Sequence, residues 1–514
     1  MSGPGDPPVA NASSLELKRP AITLGALEDG KLDGIATPAI ESPADDFIVT
    51  LDLSDAENPL TWTRRRRWGL TMLASLLTMN ASLPASAPSG ASPSILADIG
   101  SPGIASLGAP LLVTTYLCGY VAGPILWGPL SERYGRRPMF LAAFAPYTLL
   151  QVGCALVRDH NGMYILRFLA GAFASNPLSN AGAVVGDVWL PVDRGLGVAL
   201  FGLAPTMGLA LGPIVGGFIA TSGTNWRWIF GVLAIFAAAC TALIFFTLPE
   251  TYMPVLTARK AARLRQQTGD PRYRSIHDLD TTPLWRVLRD AAIKPFVMLA
   301  QEPMLVAICA VISWMYASLF SLFASYPIIF TRIHGLSAGL TGLCFLPIPI
   351  GATLAFFASV LHYQPAYKRR IVESAPVPVA PEHRLYEAFV GVPALVVAGF
   401  WLGWTSQHVG IWPPLMSGLL LGAGLQLVFL SFTAYLVDAY QRTAATALAD
   451  LAITRAVFGA ISPLFTEPMY NRLGSRWAAS LMAFVLLPLV PTPFVLFKYG
   501  PALRRRSKNA DASR

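Results

Sequence analysis

The sequence predicts an all-α membrane protein, with twelve transmembrane helices folded as two bundles of six. Three observations lead there. Of the 514 residues, 54% are hydrophobic and 13% charged, well under the ~25% charge of soluble domains, so a soluble surface cannot be covered. Apolar runs of about 20 residues recur, each able at 1.5 Å per residue to cross a ~30 Å hydrocarbon core. Arginine and lysine collect in alternate loops, as they do on the cytosolic side of membrane proteins.

Residues 1–66 are rich in Pro, Ala, Ser, Gly and Asp and read as a largely disordered cytosolic tail without a signal-peptide pattern. The glycosylation acceptor pattern at Asn11 would be irrelevant there. The block Arg64 to Arg67 holds the N-terminus inside, ahead of a first span over 68–85. An external loop rich in Pro, Ser and Gly follows to 106, then spans over 107–130, 138–157 and 164–189. A fifth span runs from the turn at 191–195 to Ala220, and a sixth covers 228–248. These make a first bundle over 67–249.

Residues 250–302 turn polar and basic, with Arg259, Lys260, Arg263, Arg265, Arg272, Arg274, Arg286 and Arg289. Amphipathic spacing over 258–266 and 284–292 predicts short surface helices on a cytosolic loop. The second bundle, 303–498, carries spans over 304–330, 340–363, 386–404, 413–436, 444–465 and 477–497, and 499–514 is a basic cytosolic tail. Loop 362–387 adds Lys368, Arg369, Arg370 and Arg384, while the opposite loops hold scattered Arg158, Arg227, Arg332, Arg472 and Arg476. The asymmetry predicts both termini in the cytosol, with the plasma membrane as the expected site and the vacuolar membrane as the alternative.

The net charge of +9 is accounted for by these loops rather than by nucleic acid. Cys118, Cys154, Cys240, Cys309 and Cys344 fall inside apolar runs and read as small hydrophobes. Six scattered histidines and the lack of a phosphate-binding glycine loop give no support to a metal, a cofactor or direct ATP coupling.

Between the second and third spans lies Gly128-Pro129-Leu130-Ser131-Glu132-Arg133-Tyr134-Gly135-Arg136-Arg137. This resembles the loop 2–3 signature of the major facilitator superfamily, G-x-L-a-D-R-x-G-R-R, with Glu132 in place of the usual Asp. Gly128 and Gly135 permit a close turn, and Arg136 and Arg137 can pair with carboxylates or with carbonyls at helix C-termini. Topogenic charge is one reading, and a conformational latch built from Gly128, Glu132, Arg133, Gly135, Arg136 and Arg137 is the other. Asp187, at the cytosolic end of the fourth span, is the expected partner of Arg136, the alternative being a solvated helix-end acid.

Arg167-Phe168-Leu169-Ala170-Gly171 resembles the superfamily's helix 4 signature, which implies a role for Arg167 in substrate or proton coupling. Snorkelling to the outer interface competes with it. In the fifth span Gly208, Gly212, Pro213, Gly216 and Gly217 resemble the antiporter motif G-x-x-x-G-P-x-x-G-G, which implies proton-coupled export, with bare small-residue packing as the alternative. Asn58-Pro59-Leu60-Thr61-Trp62, Trp226-Arg227-Trp228 and Pro249-Glu250-Thr251-Tyr252 are similar to fungal drug:proton antiporters of the twelve-spanner group. So are Pro381-Glu382-His383-Arg384-Leu385 and Tyr435-Leu436-Val437-Asp438-Ala439-Tyr440.

Two departures from that group bear on chemistry. The seventh span lacks the acid that relatives carry before Tyr326-Pro327, which argues against a polycationic cargo. The eleventh has Asp450 ahead of Arg455; Asp450 is either the titrating proton site or a static partner for Arg455. The resemblance implies a cavity lined mostly by spans 1, 4, 7 and 10, with Asn80, Asn176, Asn180, Trp314, Tyr316, Tyr326 and Gln426 as substrate contacts or as interhelical hydrogen bonds. The expected function is a monomeric, lipid-embedded antiporter exchanging protons for a small-molecule cargo that is neutral, amphipathic or anionic. Proton-coupled uptake of a sugar or organic acid is the first alternative, and a membrane sensor or embedded enzyme the second.

Overall fold

The computed structural model describes residues 47–52, 54–100, 107–190, 193–279, 282–374, 379–407 and 409–510. The expectations for 1–46 with its Asn11 acceptor, for 101–106, for Pro191-Val192 and for 511–514 lie outside the described residues.

In the first half α1 (Arg64–Ser86) leads through a 3-10 turn (Ala87–Ala91) into α2 (Ser92–Ile99), then α3 (Gly108–Tyr134), α4 (Arg136–Leu156), α5 (His160–Val188), α6 (Arg194–Thr221) and α7 (Arg227–Thr247). The connecting segment forms α8 (Met253–Thr268), α9 (Ile276–Leu279) and α10 (Leu284–Gln301), with helices where amphipathic spacing predicts them. The second half is α11 (Pro303–Tyr326), α12 (Ala338–Leu343), α13 (Pro347–Ala358), α14 (Gln364–Ser374), α15 (Tyr386–Thr405), α16 (Trp412–Ala439), α17 (Ala444–Leu486) and α18 (Thr492–Arg506). Among the described residues nine helical stretches are long and apolar enough to cross a membrane, the last running over Ala444–Arg506. Gly474, at φ 75°, breaks that stretch. Taken with α1 and α5, the pattern is consistent with twelve crossings.

Within the first half α3 packs on α5, α1 on α6 and α4 on α7; within the second α11 packs on α17, and both α13 and α15 on α16. The halves meet where α17 touches α3 and where α12 and α13 touch α6. α10 touches both α3 and α17.

Backbone groups in a membrane interior need partners inside the protein, and prolines create the demand. Pro84 in α1 has no N–H for the Asn80 carbonyl one turn back, and the Tyr147 hydroxyl donates to that carbonyl at 3.3 Å. Pro88 likewise leaves the Pro84 carbonyl, which accepts from Arg167 Nη1 at 2.8 Å. Pro213 leaves the Leu209 carbonyl, which accepts from Ser86 Oγ at 2.7 Å. Each vacancy is filled from a neighbouring helix, so the kinks tie the first bundle together.

Three segments depart from the sequence reading. The expected external loop contains α2, because Ile95 and Ile99 lie one turn apart and bury among Ala91, Trp226 and Phe230, and Pro93 suits the first helical turn. Asp98 on α2 accepts from Trp226 Nε1 at 3.1 Å and pairs with Arg227 at 3.0 Å. The tail, read as disordered to 66, is ordered from Phe47. There β1 (Phe47–Ile48) runs parallel to β2 (Tyr273–Arg274), Lys260 Nζ lies 2.8 Å from Asp55 Oδ2, and Arg263 pairs with Glu57. The basic connecting loop supplies the counter-charges that this part of the tail lacks. Lastly, the eighth span is split between α12 and α13, where Pro347 and Pro349 interrupt donation.

Candidate functional site

The arginine-rich turn is built around Gly135, whose φ of 100° suits glycine. Glu250, three residues past α7 and 5% exposed, sits against it, and a Cβ on Gly135 would collide with that carboxylate. Glu250 Oε1 accepts from the backbone N–H groups of Arg136 at 2.8 Å, Thr251 at 3.0 Å and Tyr252 at 3.0 Å. A carboxylate at the start of α4 also meets the favourable end of the helix dipole.

The Arg136 side chain, largely buried, donates from Nη1 to Ser131 Oγ at 2.6 Å and to Asn180 Oδ1 at 3.4 Å. Its Nε donates to Asp187 Oδ2 at 3.3 Å, and the same oxygen accepts from Thr251 Oγ1 at 3.2 Å. The Tyr252 ring lies 4.7 Å from the guanidinium carbon; burial, then the nearby Glu132 charge, pushes the Tyr252 hydroxyl up to about 12, so it is a neutral ring at physiological pH. Arg137 Nη2 donates to the Phe245 carbonyl near the end of α7 at 2.9 Å, matching cation to helix C-terminus. Arg133 Nη1 donates to the Thr282 carbonyl, two residues before α10, at 2.6 Å.

The turn therefore binds the ends of α3, α4, α5 and α7. Two of its expected members stand apart. Glu132 is exposed and makes no ion pair among the described residues. Gly128 lies inside α3, which continues to Tyr134, and a Cβ there would meet nothing within 4 Å, so the turn needs Gly135 and not Gly128.

At the opposite end of the bundle the α6 motif forms close contacts on two sides. Gly208, Gly212 and Gly216 press against the backbone of α1 and the 3-10 turn after it, and a Cβ on any of them would overlap that backbone or the Ser86 hydroxyl. Gly217 faces the other way, against the Ala338 carbonyl of α12, and Pro213 meets Gly342. One short stretch thus packs its own bundle and touches the second.

Arg167 is fully buried, which excludes snorkelling. Its Nε donates to the Leu112 carbonyl at 2.8 Å, complementing the Pro84 contact, and its guanidinium carbon lies 4.5 Å from the Tyr116 ring. Nη2 has no partner among the described residues.

Between the bundles lies a narrow cavity lined from α1, α3, α5, α6, α11 and α17. Of the expected contacts it includes Tyr316, and it brings in Arg455, whose Nη1 donates to Tyr316 Oη at 3.0 Å. The sequence reading of spans 1, 4, 7 and 10 is corrected here: α16 is absent from the lining, being packed on α13 and α15. Gln426 on α16 donates instead to the Ala199 carbonyl across the bundles at 3.4 Å. Asn176 donates to the Met139 carbonyl at 2.8 Å and Trp314 to the Met482 carbonyl at 2.8 Å. Asn180 belongs to the arginine turn, and Asn80 lies buried in α1 with Oδ1 unpartnered among the described residues. Tyr326 lines a second narrow cavity inside the second bundle. Asp450 is 2% exposed with Oδ2 unpartnered among the described residues, and no ion pair joins it to Arg455.

Glu250 was missed as a working residue, although its signal lay in the quoted Pro-Glu-Thr-Tyr stretch. Ser86, partner of the proline-freed carbonyl, left no sequence signal, because its role depends on which helix α6 lies against.

Two helical bundles around a shared internal cavity define a membrane carrier rather than an enzyme. Residues 73–463 match the family described as the Major Facilitator Superfamily, and the chain belongs to it. It is 36% identical over 474 residues to a major facilitator superfamily multidrug transporter, mdrA, of Aspergillus fumigatus, covering 91% of this chain and 77% of that protein. It is 35% identical over 464 residues to the efflux pump FUB11 of Gibberella moniliformis, covering 89% and 76%. The ascochitine biosynthesis cluster transporter of Didymella fabae is 34% identical over 474 residues, covering 90% and 89%. The xylose transporter XylE of E. coli, in a partially occluded inward-open conformation, superposes with a TM-score of 0.59 at 19% identity over 84% of this chain and 99% of that one. The human organic anion transporter MFSD10 gives 0.56 at 19% identity over 84% and 99%. At such identities the structures share the fold alone.

Proposed function

We propose that the chain is a proton-coupled antiporter that exports a small organic molecule across the plasma membrane, with both termini cytosolic. The observation that carries this reading is the cavity shared by the two bundles, in a chain whose relatives are named as a multidrug transporter and an efflux pump. Rocking of one bundle against the other opens the cavity to alternate sides. The arginine turn keeps the first bundle rigid at its cytosolic end, and Arg133 passes its position to α10, which touches both halves.

Asp450 is our candidate for the proton site. Its Oδ2 has no partner among the described residues, so gaining or losing a proton breaks no ion pair. The remaining roles are division of labour: Arg136, Asp187 and Glu250 hold the ends, Gly208, Gly212 and Gly216 seat α6 on α1, Gly217 sets how closely the bundles approach, and Arg167 braces α1 to α3 and α5.

Reconstituted protein tests this. Efflux of a fluorescent amphipathic probe from proteoliposomes is expected to rise with an imposed pH gradient, and Asp450→Asn is expected to keep downhill probe movement while losing the response to the gradient. Probe movement that ignores the gradient in the wild-type protein refutes the antiporter reading.

A further inference from the structure

Among the described residues, those lining the central cavity include one guanidinium, that of Arg455, and no carboxylate. Arg455 forms no ion pair among the described residues. It is held by its bond to Tyr316 Oη at 3.0 Å and by the rings of Tyr316 and Phe429, which lie 5.0 Å and 5.4 Å from its guanidinium carbon. Asp450, five residues earlier on α17, does not neutralise it. An arginine does not shed its proton in a protein, so the cavity carries a standing positive charge with most of its five donors unspent.

The other polar groups in the cavity sharpen the point, because their hydrogens are already committed. Ser82 Oγ donates to the Thr78 carbonyl at 2.9 Å, Ser175 Oγ to Ala172 at 2.6 Å and Ser179 Oγ to Ser175 at 3.2 Å. The Tyr120 hydroxyl donates to the Ala81 carbonyl at 2.7 Å. Tyr316 differs. Its oxygen accepts from Arg455, which leaves its own O–H free to donate. The free donors therefore sit side by side, a guanidinium and a phenol 3.0 Å apart, facing a wall that includes Leu117, Leu209 and Phe320. A cationic cargo would meet like charge in a low-dielectric space with no acid to receive it.

We infer that the cargo is an amphipathic organic anion, a carboxylate on an aromatic or otherwise apolar body, with the carboxylate seated on Arg455 and the Tyr316 hydroxyl. This deepens the export reading and rests on it for direction of travel, but not for binding. A carboxylate accepts from both donors at once, and charge-assisted bonds of that kind are the strong ones.

Dansylglycine and its neutral isostere dansylglycinamide separate the possibilities, since both brighten on entering an apolar site. With the purified full-length protein, the carboxylate is expected to bind about tenfold or more tighter than the amide. Arg455→Gln is expected to remove that preference, and Tyr316→Phe to weaken carboxylate binding by about three- to tenfold. Arg455→Lys keeps the charge without the fork, and should retain part of the preference; it decides the matter if Arg455→Gln fails to fold. Equal affinities in the wild-type protein, a preference that survives Arg455→Gln, its loss in a folded Arg455→Lys, or no binding of either probe would each overturn the inference. A protein that binds the carboxylate selectively yet shows no gradient-driven efflux would sink the antiporter reading and leave the anion seat standing.

Discussion

Replacing Glu250 is the most direct way to test whether the arginine turn is held from α7 or merely lies near it. Oε1 receives three backbone N–H groups, at 2.8, 3.0 and 3.0 Å, from a carboxylate 5% exposed. Glu250→Ala strands all three donors and removes the negative charge from the start of α4. The bonds from Arg136 and Thr251 are buried, whereas that from Tyr252 is part-buried, where water can replace the lost acceptor. Weighing two fully lost charge-assisted bonds, one partly rehydrated one and a helix-terminus term of ~0.3–1 kcal/mol gives a cost of about 4–6 kcal/mol. Glu250→Gln keeps an oxygen for the same donors and loses the charge, so about 1–2 kcal/mol is expected. Cys154, Cys240, Cys309 and Cys344 are buried and Cys118 is exposed, so a thiol-reactive dye reports unfolding above a constant background, and denaturant series give the free energies. If Glu250→Ala unfolds within about 1 kcal/mol of wild type, or Gln costs as much as Ala, the carboxylate does not hold the turn in the way argued here.

Other substitutions have equally definite outcomes. Gly135→Ala adds strain at φ 100° to a clash with Glu250, and should cost at least about 2 kcal/mol in the same unfolding assay. Gly217→Val places bulk against the Ala338 carbonyl; spin-label distances between α6 and α12 are expected to lengthen, while Gly69→Ala, where a Cβ meets nothing within 4 Å, should leave them unchanged. The N-terminal strap should respond to acid. The Lys260 ammonium holds Asp55 below its ordinary value, and the Arg263 guanidinium does the same for Glu57. Such depressed acids stabilise the folded form above their unfolded values and lose that contribution as pH falls through the folded ones. Protease nicking within 47–62 should therefore be flat from pH 7 to about pH 5 and rise below about pH 4; a rise near neutrality would contradict the assignment.

Much of the architecture was legible because its cause is local. Twenty-residue apolar runs, the Gly135-Arg136-Arg137 turn and the Arg136–Asp187 pairing all follow from spacing and from the cost of charge in a membrane. The central cavity was not legible in the same way. Asn176, Asn180 and Trp314 are the polar residues that sequence reasoning selects, and each spends its donors on a backbone carbonyl of a neighbouring helix. A polar side chain in a span is drawn to the nearest unsatisfied group, and which group is nearest depends on helix rotation. Arg455 was chosen for its charge, yet its role depended on whether Asp450 reached it, a question of a few ångströms that five residues of helix do not decide.

The two kinds of contact in this protein differ in strength in a way that favours rocking. Inside the first bundle, links are directional and partly charged: Arg136 to Asp187, Glu250 to the start of α4, Arg167 to two carbonyls, and Ser86 to the carbonyl that Pro213 leaves open. Breaking one strands a buried polar group, at about 1–3 kcal/mol or more. Between the bundles, Gly217 on the Ala338 carbonyl and Gly342 on the Pro213 carbonyl are close backbone approaches in which the glycine offers no side chain. Among the described residues the polar contacts that cross include Thr114 to the Ala460 carbonyl at 2.7 Å, Gln426 to the Ala199 carbonyl at 3.4 Å and the exposed Lys368–Asp193 pair at 3.7 Å, which solvent screens. Contacts of dispersion type are lost gradually and are regained by any surface of similar shape. Under a load shared by both, the interface between bundles is expected to yield first, with each bundle moving as a body. Moving a directional bond to that interface should then slow the carrier: Ala338→Asp, opposite the α6 motif, is expected to reduce flux more than it reduces stability.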